Sequence, residues 1–186
     1  MTFARLTSLA DRIDRLTGRI GRAAAWLVLA VVLTEFALVV ARYLFGFGSI
    51  WLTEAALYVH AALFMLAAAW TLSSGGHVRV DIFYADASVR TKAIIDLVGA
   101  LLLLLPFALA LLYLSLPYTA RSWAILERSQ ESSGLPLLFV LKTLIPVFAA
   151  LMALQGVAQA IRAINLLIPP PLAGEGGRRC RPGGGA

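Results

Sequence analysis

The sequence predicts an all-α integral membrane protein, with four transmembrane helices behind an N-terminal amphipathic helix at the membrane interface. Three observations carry that class. Of 186 residues, 60% are hydrophobic and 14% charged, with a mean hydropathy of +0.84, which leaves too little polar surface to cover a soluble globule. Four apolar runs are each long enough, at ~1.5 Å per residue, to cross a hydrocarbon core of roughly 30 Å. The basic residues gather in the connections and tails beside those runs, so the formal charge of +6 and pI near 10.1 reflect membrane topology and no nucleic-acid partner is expected.

Residues 1–22 carry Phe3, Leu6, Leu9, Ile13, Leu16 and Ile20 at spacings of three and four, with Arg5, Arg12, Arg15, Arg19 and Arg22 between them. That pattern is an amphipathic helix with one apolar stripe, expected to lie flat on the anionic cytoplasmic leaflet. The transmembrane domain, 23–168, holds spans at about 23–44, 51–72, 93–114 and 137–167. The short Gly46-Phe47-Gly48-Ser49 link forces the first two spans into a hairpin. Pro106 and Pro146 each remove a backbone donor and predict kinks in spans three and four. Residues 169–186, Pro-Pro-Pro and then Gly-rich basic sequence, cannot bury apolar surface and are expected to be a disordered cytoplasmic tail. Cys180, the one cysteine, falls in that tail and carries no disulfide argument.

Orientation follows from the basic residues. With the N-terminus inside, Arg5, Arg12, Arg15, Arg19, Arg22, Arg79, Arg90, Lys92, Arg162, Arg178, Arg179 and Arg181 are cytoplasmic, against Arg42, Arg121 and Arg128 outside. Both termini are therefore expected in the cytoplasm. Trp26 and Trp70 then fall near the inner interface, and Trp51 and Trp123 near the outer.

Ionisable groups inside spans each need a reason, because insertion costs roughly 2.5 to 3.5 kcal/mol at mid-bilayer. Glu35, near the middle of span one, reads either as a proton or cation site or as a side chain bonded to a neighbouring helix. Arg42 and Glu54 reach similar depth across the hairpin, so they either pair with each other or face a partner subunit. Lys142 can snorkel outward or meet a partner, and Asp96 has Lys92 at helical spacing for a local pair. Gln155 and Gln159 add a polar stripe to span four that marks a protein-facing side. His60 and His77 sit far apart along one element, which disfavours paired haem ligation; His77 is expected to anchor the turn at the interface. No metal-ligand spacing or phosphate loop is present, so no catalytic residue, metal or cofactor is assigned and the chain is read as a non-enzyme.

Several short motifs also resemble a known family. They are Arg42-Tyr43-Leu44-Phe45, Trp51-Leu52-Thr53-Glu54, Gly76-His77-Val78-Arg79-Val80-Asp81, Gly134-Leu135-Pro136 and Lys142-Thr143-Leu144-Ile145-Pro146. Over about residues 20 to 165 the chain is similar to the small, DctQ-type membrane subunit of tripartite ATP-independent periplasmic (TRAP) transporters, with a departure at Thr53, where many members carry an acid. The resemblance implies a non-catalytic subunit in the bacterial inner membrane, partnered by a large multi-span permease that holds the substrate and sodium sites. A periplasmic binding protein would deliver the solute, an organic acid on this reading, by transient docking. Interface or structural roles are then expected for Arg42, Trp51, Glu54, Gly76, His77, Arg79, Asp81, Lys142 and Pro146. Two other classes stay open at this point: a small proton-coupled exporter using Glu35, and a membrane anchor for a redox complex.

Overall fold

The computed structural model describes residues 2–77, 84 and 86–168, with side chains from Arg5 onward. The expectations for Arg79, Asp81 and the tail 169–186 lie outside those residues. Helix α1 (Thr2–Ala25) passes through the single turn residue Trp26 into α2 (Leu27–Phe45). The 41-residue run from Arg5 to Phe45 is about 60 Å long at ~1.5 Å per residue, twice the hydrocarbon thickness, so α2 crosses the bilayer while much of α1 extends beyond it.

Helix ends follow local chemistry. Gly46 takes the left-handed conformation at φ 62°, and its N–H and that of Phe47 both turn back to the Ala41 carbonyl, ending α2. Ser49 then accepts from the Leu52 N–H and starts α3 (Ile50–Ser73). At the far end of α3, Gly75 (φ 69°) donates to the Leu72 carbonyl and Gly76 to that of Thr71, a Schellman closure that accounts for the paired glycines. Ser88 caps α4 (Val89–Val98) through the Thr91 N–H.

Pro106 acts by widening the helix ahead of it. Residues Gly99–Leu104 form a π segment, in which the Leu105 N–H reaches back to Ala100, and the proline ring follows at the start of α5 (Leu105–Ala124). The helix carrying span three continues through Pro117 to Ala124, ten residues beyond the apolar stretch. It closes in a second Schellman motif, with Leu126 in the left-handed region at φ 46°. After a loop, α6 (Leu138–Leu167) returns through Pro146.

The four spans do not close into a ring. Helix α2 packs on α3, α3 on α6, and α6 on α5, while α2 touches neither α5 nor α6, and α3 does not touch α5. The result is a row, α2–α3–α6–α5. Helix α6 is its hub, because Ala149, Ala153, Gly156, Ala160 and Ala163 recur at three and four residues and admit neighbouring backbones closely. A Cβ on Gly156 would stand 3.2 Å from Leu104 and Leu105, which shows how tightly α5 and the π segment approach.

Helix α1 lies against both α3 and α6. Its buried face is Ala10, Ile13, Thr17, Gly18, Gly21 and Ala24, while Leu6, Leu9 and Leu16 of the apolar stripe stay exposed. Small residues dock the helix on protein, and the exposed leucines flank that face. Gly21 has Trp70 directly over it, where any Cβ would overlap the indole stem at 2.4 Å.

Candidate subunit interface

Several polar clusters bind parts of the chain together, and one is left open on α2. In the C-terminal half of α6, Gln155 is buried to 1% exposure and gripped from α1: its Nε2 donates to Asp14 Oδ1 at 2.9 Å, and its Oε1 accepts from the Thr17 hydroxyl at 3.2 Å. Arg162 pairs with Asp14 and stands 3.9 Å from Asp11. The stripe carrying Gln155 is therefore protein-facing, but toward this chain's own first helix. Gln159 instead lines a cavity of about 490 Å³ with His77, Tyr84 and Asp96. There Tyr84 donates to Asp96 at 3.0 Å and lies beneath Lys92 at 5.3 Å, so an aromatic hydroxyl joins the expected Lys92 and Asp96 neighbourhood.

At the hairpin end, Glu54 does not pair with Arg42, one of the two arrangements that the sequence left open. One carboxylate oxygen accepts from the Ser129 hydroxyl and the other from the Leu135 N–H at 2.5 Å, so the α5–α6 loop is strapped onto α3. Gly134 is required there, because a Cβ would fall 2.4 Å from the Ser129 oxygen and 2.8 Å from the Glu54 carboxylate. Thus Trp51-Leu52-Thr53-Glu54 and Gly134-Leu135-Pro136, distant in sequence, are two halves of one clasp. Lys142 is likewise satisfied within the chain: its ammonium meets Glu127 Oε2 at 2.5 Å and lies 4.2 Å over the Tyr118 ring. The Lys142 ammonium holds the Glu127 carboxyl below the usual carboxylate range. Next to it, the Trp123 indole N–H donates to Thr143 at 2.8 Å, and Thr119 donates to the Lys142 carbonyl. Pro146 is buried in α6.

The open cluster lies on α2. Glu35, Leu38, Val39, Arg42 and Tyr43 line a hollow of about 280 Å³ with Thr53 of α3, and Arg42 also borders a second hollow near Glu54 and Glu131. Neither Glu35 nor Arg42 makes a hydrogen bond or ion pair among the described residues. Trp51, 52% exposed, stands at the same end beside the exposed aromatics Tyr43, Phe45 and Phe47.

A family model for tripartite ATP-independent periplasmic transporters, DctQ component, matches residues 31–166, well over half of the chain. The chain belongs to that family. Comparison with curated proteins and with solved structures gave no match. DctQ is a transporter component rather than an enzyme family, and this DctQ chain is one component of a tripartite membrane transporter. The match starts within α2 and ends within α6, so it takes in both hairpin-end clusters and the open face, but not α1. Sequence reasoning missed Asp14, Thr17, Glu127 and Ser129 as cluster members. Thr17 carried a readable signal, since Ala10, Thr17, Gly21 and Ala24 form a small-residue stripe at helix-packing spacing, and Asp14 stands one turn before it. Glu127 and Ser129 sit in an irregular loop and had none.

Proposed function

We propose that this DctQ-family chain is the small permease subunit that holds the static part of a large, sodium-coupled permease subunit while the mobile part carries solute through the inner membrane. A periplasmic binding protein supplies the solute, an organic acid, and both termini of this chain lie in the cytoplasm. One observation carries the scaffold role: internal polar clasps hold α3 to the α5–α6 loop, at Glu54 with Ser129 and Leu135, and α6 to α1, at Gln155 with Thr17 and Asp14. Helices so clasped, α1, α3 and α6, resist sliding against one another, as a static support must. The twelve-to-three bias of basic residues supports the orientation.

Deleting this chain while leaving the large subunit in the membrane tests the reading. Uptake of the solute should fall to background. Undiminished uptake by the large subunit alone would overturn the proposal, and accessibility of a cysteine-reactive probe at Cys180 from the cytoplasmic side checks the orientation.

A further inference from the structure

The open face of α2 is chemically unfinished. No residue of this helix is buried, and among the described residues only α3 packs along it, with α1 touching it at their junction. Much of its exposed surface is apolar and suits lipid: Val28, Leu29, Val32, Leu33 and Phe36. Glu35 does not. It lies one residue from the midpoint of α2 and about 16 Å from Gly46 at ~1.5 Å per residue, too deep for its short side chain to reach headgroups. Arg42, two turns nearer the turn, lines the same hollow, with its guanidinium likewise free of hydrogen bonds and ion pairs among the described residues. The hairpin adds a third group. Arg42 and Thr53 share the hollow, so His60, seven residues beyond Thr53, stands at the depth of Glu35, seven residues before Arg42. His60 is exposed, and its ring meets Phe64 edge-on.

Three ionisable side chains thus sit on the outer face of the α2–α3 hairpin at membrane depth, whereas Glu54, Lys142 and Gln155 elsewhere in the spans are all satisfied internally. Intramembrane ionisable groups face protein or water-filled cavities, not lipid. We infer that the α2–α3 groove seats a transmembrane helix of the large permease subunit, which offers an acceptor to Arg42 near the surface and a polar or basic donor to Glu35 and His60 at mid-membrane. The inference rests on the scaffold reading above and adds the face and its chemistry.

The test uses the full tagged chain in its native membrane. A photoreactive residue is placed at Val39, in the groove, or at Leu109, on the exposed side of α5; the two are 52% and 53% exposed, so reactivity alone does not separate them. Val39 should capture the large subunit and Leu109 lipid. In parallel, Glu35→Leu should reduce the large subunit recovered by affinity purification roughly three- to fifteenfold, the range of one to two intramembrane hydrogen bonds, and Glu35→Gln should restore most of it. Capture of the large subunit from Leu109 and not Val39 overturns the groove while leaving the scaffold reading intact. Capture of a second copy of this chain from Val39 also overturns it. Failure to recover any large subunit with the wild-type chain removes both readings. Crosslinking is read in the otherwise unaltered complex, so a Glu35 variant that fails to accumulate does not decide the outcome.

Discussion

Helices α6 and α2 are both apolar enough to cross a membrane, yet they use the bilayer differently. In α6, 28% of the most apolar window is buried inside the chain; for the run containing α2 the figure is 6%. The difference lies in side-chain size. Helix α6 alternates Ala149, Ala153, Gly156, Ala160 and Ala163 along one side, so neighbours approach its backbone. The exposed valines, leucines and phenylalanine of α2 keep neighbours at arm's length and leave the helix held mainly by α3. Charged and amide groups divide in a similar way: Lys142, Gln155 and Arg162 of α6 are paired within the chain, whereas Glu35 and Arg42 of α2 make no hydrogen bond or ion pair among the described residues. Hydropathy alone finds both helices; only the distribution of small residues tells which one a fold is built around.

That contrast can be broken at its strongest point. Gly156→Leu drives a branched side chain into Leu104 and Leu105 and should lower stability by about 3 kcal/mol, whereas Ala37→Leu on exposed α2 should change it by under about 0.5 kcal/mol. Thermal unfolding of the purified chain in detergent compares them, and similar losses would erase the distinction between hub and rim. Next in size, Glu54→Ala strips the acceptor from Ser129 and the Leu135 N–H and should cost about 2 kcal/mol; Arg42→Ala, at the same end of the hairpin, should leave the isolated chain unchanged. If Arg42→Ala were the more damaging of the two, Arg42 would belong to the internal clasp.

A smaller gain is expected from Leu126→Gly. The left-handed turn at φ 46° strains a leucine and not a glycine, so the variant should unfold later, by about 1 kcal/mol, provided Glu127 still meets Lys142. The smallest effect is acidic. Because Glu127 is held below its ordinary range, its pairing contributes fully above the unfolded carboxyl value near 4.5 and is lost only as pH falls through the lowered value. Hydrogen exchange around the α5–α6 loop should therefore be flat from neutral pH to about 5 once corrected for intrinsic rates, and rise only in stronger acid; Glu127→Gln should abolish that acid limb.

Much of this architecture was legible from sequence, for identifiable reasons. Four spans and the α2–α3 hairpin follow from apolar length and from a four-residue Gly-rich link, both local properties. The far third of the third transmembrane helix was not, because Ser115, Pro117, Thr119, Arg121 and Ser122 lower hydropathy there. Yet Ser115, Thr119 and Ser122 are buried, so the helix continues with its polar side inward. Docking of α1 was hidden by its own leucines, which announce a lipid-facing stripe and draw attention from the small residues that meet protein. The clasp of Glu54 with Leu135 joins segments 81 residues apart, and no period or spacing links them.

The near-continuous passage of α1 into α2 has a mechanical consequence. Among the described residues α3 and the Gly46 turn hold α2 from the side, and its rotation about its own axis is tied as well to where α1 is bolted, at Thr17, Asp14 and the Gly21 notch over Trp70. The two helices act as a crankshaft with a bearing at one end and Glu35 as the crank pin. One alanine inserted between Ala25 and Trp26 would turn that pin by about 100° and leave every buried contact of α1 in place. The compass bearing of a carboxylate in mid-membrane is thus tied to a helix that for much of its length lies outside it.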